Sequence, residues 1–166
     1  MSLQITPVES PQDIAIVAAL AREIWHEFYV PIIGPEQVEY MVSNFQSAVA
    51  IRRQLEEGYE YFIVRRNDMA VGYCGVRAAP EEGELFLSKF YLHRDARGTG
   101  TGRACMEFIE GLALQRGLGT LWLTVNKGNP SVQAYERMGF RKVSELVVDI
   151  GAGFVMDDFR MEKTLS

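Results

Sequence analysis

"HRDARGTGTGRACMEF", residues 93–108, sets glycines at alternate positions, Gly98, Gly100 and Gly102, between two segments of different period. Before it, "GELFLSKFYL" alternates as a strand does. That places Glu84, Phe86, Ser88, Phe90 and Leu92 on one face. After it, Cys105, Phe108, Ile109 and Leu112 recur at helical spacing towards Arg116, and Gly117 ends the run. A strand that passes into a helix through bare backbone suits an anion. The first N–H groups of a helix have no partner inside it, and the helix dipole adds partial positive charge there. Glycine removes the side chains that would hold a phosphate off and permits the φ values such a loop needs. Arg97 and Arg103 add cationic contacts. The same hexapeptide also fits a loop that only turns a corner.

Two nucleotide cradles match poorly. A P-loop needs lysine followed by Ser or Thr after its last glycine, where this chain has Arg103-Ala104. A dinucleotide fingerprint needs G-x-G-x-x-G and an acidic residue about 20 positions on. Here the spacing is G-x-G-x-G, and the next strand ends in Val125-Asn126.

Outward from the loop, the chain reads as one domain over residues 1–166, long enough to bury a core. Ser10-Pro11 opens a helix with Ile14, Val17, Ala18, Ala21, Trp25 and Phe28 on one stripe. "VPIIGPEQ" breaks it twice by proline, and shorter helices follow near 36–43 and 46–57. "YEYFIVRR" and "AVGYCGVRA" form a hairpin across "ND". "TLWLTV" is a short buried-type strand, and "NPSVQAYERM" a short helix ended by Gly139. Final strands near 141–150 and 154–163 are joined by "GAG". The expected class is α/β in the mixed α+β sense: six to seven strands, mostly antiparallel, flanked by helices.

A net charge of −5 argues against nucleic-acid binding and is mildly compatible with a cationic substrate. No run of about 18 apolar residues suggests a membrane span, and "MSLQITPVES" lacks the pattern of a secretory signal. Cys74 and Cys105 lack metal-ligand spacing, and His26 and His93 lack ligand partners, so no metal is expected. A reducing, cytoplasmic location follows by default.

Arg97-Gly98-Thr99-Gly100-Thr101-Gly102 also fits [R/Q]-x-x-G-x-[G/A], the coenzyme A cradle of the GNAT N-acetyltransferases. "KFYLHRDARGTGTGRACMEFI" resembles the strand–loop–helix core of that family, and "LTVNKGNPSVQAYERMGFRKV" its following segment. The likeness runs from about Tyr59 to the C terminus. The N-terminal helices and "GAGFVMDDFRMEK" resemble a narrower group, the PaiA-type spermidine/spermine acetyltransferases. One departure stands out: Asn129 and Tyr135 are six steps apart where many relatives have seven.

The resemblance implies acetyl transfer from acetyl-CoA to an amine. The pantetheine arm would pair with backbone near Phe90, Tyr91 and Leu92, and the pyrophosphate would rest on N–H groups from Gly98 to Arg103. Asn126 and Asn129 join the coenzyme side. Tyr135 is the candidate acid for the leaving thiolate, against a plain reading as core aromatic. Glu84, thirteen residues before Arg97, is the candidate base, against a solvated residue of an acidic turn. Asp157 and Asp158 are alternative carboxylates, suited to a distant cation of a polyamine. A small amine is the expected acceptor, a polyamine favoured. Peptide acetylation, a non-catalytic acyl-CoA sensor and a possible homodimer remain open.

Overall fold

The computed structural model describes residues 3–165. In chain order the elements are β1 (Leu3–Pro7), α1 (Pro11–Phe28), α2 (Val30–Ile33), α3 (Pro35–Phe45), α4 (Ala48–Glu56), β2 (Glu60–Arg66) and β3 (Met69–Ala79). Then come β4 (Glu84–Leu92), α5 (Thr101–Gln115), β5 (Thr120–Asn126), α6 (Ser131–Arg137), β6 (Arg141–Gly151) and β7 (Phe154–Thr164). The seven strands are hydrogen-bonded in the order β1-β2-β3-β4-β5-β7-β6. β4 and β5 run parallel in an otherwise largely antiparallel ladder, which is the mixed class expected. The chain divides into two compact units, one of residues 1–77 with 89–107 and one of 78–88 with 108–166.

In the first unit, α1 starts as its sequence dictates. The Ser10 side chain accepts from the Asp13 amide, and Asp13 accepts from the Ser10 amide, a reciprocal capping box. Ile14, Val17, Ala21 and Trp25 of the expected stripe are buried, joined by Leu20 and Ile24. Two expectations change. Pro31 and Pro35 do not merely interrupt: each lies in the first turn of a new helix, α2 and α3, where a missing N–H costs nothing. β1 was not read from the sequence at all. It is five residues long, and it exists because β2 supplies an antiparallel partner some sixty positions away, Leu3 opposite Arg66 through Pro7 opposite Phe62.

A buried lysine lies among these elements. Lys89 of β4 is 7% exposed, and its Nζ donates to the Phe45 carbonyl (2.6 Å), Gln54 Oε1 (2.8 Å) and the Tyr61 hydroxyl (2.6 Å). No carboxylate faces it in these contacts, and burial pushes its ammonium down to about 7. A lysine whose folded pKa lies below its unfolded one binds fewer protons when folded. Stability therefore rises with pH from about 7 to 10.5. Lys89→Met leaves Gln54 Nε2 on the Phe45 carbonyl and Tyr61 on Gln54. The expected result is a variant about 2 kcal/mol more stable than wild type at pH 6, the gap closing by pH 10. Urea melts at both pH values check this; a variant less stable at pH 6 would show that the ammonium stabilises the fold.

In the second unit, β4 and β5 pair over Glu84–Thr120, Leu85–Leu121 and Phe86–Trp122, and the parallel ladder stops there. β5 continues to Asn126 against β7, with Asn126 opposite Asp158. β6 closes this side, pairing with β7 along most of its length. Leu121, Leu123, Val125 and Met161 are buried, while Trp122, Thr124 and Asn126 alternate to the other face. None of the described helices is long and apolar enough to cross a membrane.

Candidate active site

In the first unit the end of β4, the glycine loop and the start of α5 form one continuous device. Arg94–Ala96 make a short 3-10 turn, capped by the Asp95 amide on His93 Nδ1 (3.2 Å) and seated by Ala96, which is buried. Thr99 Oγ1 donates to the Ala96 carbonyl (2.6 Å) and lies 2.8 Å from Thr101 Oγ1. Thr101 itself is buried. These hydroxyls brace the loop from within, so the two threonine side chains are engaged inside it.

Gly98 and Gly100 adopt φ of 72° and 87°, values that favour glycine. A Cβ built at either would meet no protein atom within 4 Å. Packing therefore does not demand these glycines; backbone conformation does, and the space in front of them is left clear. The first pairing of the helical start is Ala104 N to the Gly100 carbonyl, 3.1 Å. From Gly98 to Arg103 the amides have no acceptor among the described residues. A run of unpaired donors at the N-terminus of a 15-residue helix, with no side chain in front, fits a diphosphate.

The neighbouring candidates divide by role. Arg97 Nε donates to the Leu92 carbonyl (3.0 Å), its guanidinium pairs with Glu27 (2.9 Å), and it lies over the Phe28 ring (4.7 Å). It ties loop to strand and to α1. Arg103 is exposed and forms no ion pair among the described residues. Tyr91 packs edge-on against Trp25 and near Tyr73, each at 5.4 Å. Leu92 lies against Gly72, where a Cβ would come within 2.6 Å of the Tyr91 carbonyl and of Leu92 itself, so only glycine fits. Phe90 precedes Tyr91 on the strand and shares Leu92's face by alternation, opposite to Tyr91.

In the second unit both asparagines shape the chain into α6. Asn126 Oδ1 accepts from the Gly128 amide and Asn129 Oδ1 from the Ser131 amide, each at 2.8 Å. Tyr135 follows on α6, edge-on to Phe140 at 5.7 Å. Burial raises its phenol above the ordinary value, and its hydroxyl has no hydrogen-bond partner among the described residues.

Glu84 stands at the other end of β5, opposite Thr120. Six strand steps, about 20 Å, separate that position from Asn126 and the turn into α6. The structure thus does not bring Glu84 and Tyr135 together. Glu84 pairs with Arg160 at 3.6 Å, and Arg160 also holds Glu162 at 3.0 Å. Burial raises the Glu84 carboxyl and Arg160 partly offsets this. The Arg160 guanidinium covers Trp122 (3.9 Å), which stacks on Phe86 (4.0 Å between centroids, 18°). This aromatic–arginine floor was not singled out from sequence. Its signal was there in the alternation of "TLWLTV", which puts Trp122 on the face away from the leucines.

Comparison with known proteins decides what kind of enzyme this is. The model of the acetyltransferase (GNAT) family matches residues 18–140. The chain belongs to the GNAT acetyltransferase family. The N-acetyltransferase Rv2669 of Mycobacterium tuberculosis, itself uncharacterised, is 28% identical over 127 residues, 75% of this chain and 81% of that protein. Streptothricin acetyltransferase of Streptomyces lavendulae is 49% identical over 70 residues, 42% of this chain and 37% of that one. The PaiA N-acetyltransferase of Thermoplasma acidophilum, in complex with coenzyme A, shares the fold with a TM-score of 0.79 at 21% identity over 99% of both chains. This GNAT enzyme accordingly transfers acetyl from acetyl-CoA, and the unpaired donors of its glycine loop suit the carrier's diphosphate.

Proposed function

We propose that the chain acetylates a primary amine of a small polycationic acceptor of the spermidine type. The observation that supports this is the charge of one face of the second unit. Asn126–Asp158, Thr124–Arg160 and Trp122–Glu162 are neighbours in register, and Glu84 lies beside Arg160. Glu84, Asp158 and Glu162 thus outnumber Arg160 and Arg141, the latter opposite Glu162 in register, around a Phe86–Trp122 stack. Carboxylates over aromatic faces suit alkylammonium groups, which gain from both.

In this reading the amides from Gly98 to Arg103 hold the diphosphate, backbone of Phe90–Leu92 pairs with the amides of the pantetheine arm, and Arg97 fixes the loop. Acetyl-CoA supplies an acyl group already activated as a thioester. Tyr135 keeps its proton at neutral pH and gives it to the departing sulfur. Asn126 and Asn129 shape the turn that places α6.

Mass spectrometry tests the acceptor. Incubation with acetyl-CoA and a panel of spermidine, amino acids and peptides should add one acetyl group to spermidine. Acetylation confined to peptides would replace the polyamine reading by a protein acetyltransferase. Tight acetyl-CoA binding with no thiol release across the panel would leave no small-amine acceptor.

A further inference from the structure

The acidic face holds one carboxylate unlike the rest. Asp158 is 4% exposed, and its Oδ1 is buried with no hydrogen-bond partner among the described residues. Glu84 and Glu162 have Arg160. Asp157, next in sequence, is half exposed and pairs with Lys127 at 2.8 Å, while Lys127 also holds Glu145 at 2.6 Å. An unpaired carboxylate is expensive to bury, so the fold carries a cost at this position that Lys127, itself paired with Asp157 and Glu145, offsets only in part. A ligand that brings a cation removes it.

Register gives the place. Asp158 is opposite Asn126 on β5 and opposite Leu146 on β6. Asn126 begins the turn that leads into α6 and Tyr135, the end of β5 remote from Glu84.

We propose that Asp158 is the general base that takes the proton from the acceptor's reacting ammonium. This rests on the amine-acceptor reading above. The nitrogen loses two protons in forming the amide. The first passes to the Asp158 carboxylate and from there to solvent, freeing the lone pair that forms the C–N bond as the C–S bond breaks. The second, lost as the adduct collapses, returns through solvent to the Tyr135 phenolate left when the phenol protonates the sulfur. Glu84 and Glu162, four to six strand steps away, are placed for the acceptor's remaining positive charge.

The charged groups around Asp158 set its basicity. Burial raises its carboxyl to about 6, Asp157 adds to the rise, and Lys127 opposes it. A carboxylate in that range is ionised at neutral pH yet basic enough to accept a proton.

The test compares wild type, Asp158→Asn, Asp158→Glu and Glu84→Gln with spermidine from pH 5 to 9, alongside calorimetric affinity for acetyl-CoA. Wild-type kcat should rise to a plateau above about pH 7. Asp158→Asn should lose about 100-fold in kcat at pH 7, bind acetyl-CoA within about twofold of wild type, and keep rising with pH through 9. Asp158→Glu should recover part of the plateau, and Glu84→Gln should raise KM for spermidine while the pH profile of kcat keeps the wild-type plateau. Retention of kcat in Asp158→Asn, or a rise in KM alone, overturns the proposal, the latter making Asp158 a cation anchor. Loss of acetyl-CoA affinity in step with kcat overturns it as well, by making the role structural. If spermidine is inert but another amine is acetylated, the polyamine reading fails and the same comparison on that amine decides Asp158. If wild type acetylates no amine or peptide, both fall.

Discussion

Gly100→Val should weaken acetyl-CoA binding by at least about 100-fold. Two effects act in the same direction. The residue sits at φ of 87°, where an L side chain is strained and a β-branched one most of all. Relaxing that strain rotates the amides of Thr101 and Gly102 away from their common target. The valine methyls also enter the space that a Cβ at this position finds empty, on a loop whose amides have no acceptor among the described residues. A general loss of folding is separable from this. Gly111, on the same helix, does not have a left-handed φ, and a Cβ there also meets nothing. Gly111→Ala should raise stability by about 0.5–1 kcal/mol through helix propensity and leave binding alone. Calorimetric titration with acetyl-CoA, with Tm measured on the unliganded proteins, reads both. A folded Gly100→Val protein of unchanged affinity would show that the diphosphate is held elsewhere.

The glycine loop was legible because its requirement is local. Alternate glycines, a preceding two-residue period and a following helical period are all contained in residues 84–116, and the structure adds that the amides from Gly98 to Arg103 have no acceptor among the described residues. The capped start of α1 was legible for the same reason, since Ser10, Pro11 and Asp13 act within one turn. What could not be read was whatever depends on a distant partner. Leu3–Pro7 has no strand signal of its own beyond Leu3 and Ile5, and becomes β1 only against β2. Lys89 shares the alternation of Leu85 and Leu87, yet nothing nearby in sequence says that Phe45, Gln54 and Tyr61 converge on it. Asp157 and Asp158 look alike in "MDDF", and only β7's position between β5 and β6 separates a half-exposed ion pair from a buried orphan. Arg97 shows the converse. Its spacing suggests a phosphate contact, and the structure gives it a strand end, Glu27 and an aromatic ring.

Tyr135→Phe should lower kcat by about 100- to 1,000-fold while acetyl-CoA affinity stays within about twofold. The substitution removes one oxygen and nothing else that the fold uses. The ring keeps its edge-on contact with Phe140, and the hydroxyl has no described partner to be left unsatisfied. Tm should therefore stay within about 2 °C of wild type, as expected of a change that breaks no contact. An unpaired phenolic oxygen on a half-buried ring is easier to explain as a proton donor than as packing, for which phenylalanine would serve as well. Burial raises the phenol further from ionisation, so the donor form is retained through neutral pH. An amine acceptor cannot substitute for it, because the proton is needed at sulfur, on the leaving side of the bond being broken. Acyl carriers with a more acidic thiol should need that proton less, so the deficit of Tyr135→Phe should shrink with an activated thioester of lower thiol pKa. Steady-state kinetics with both thioesters checks this. A kcat within threefold of wild type would return Tyr135 to the core. A deficit that does not change with the leaving group would mean that the hydroxyl positions the substrate instead of protonating the sulfur.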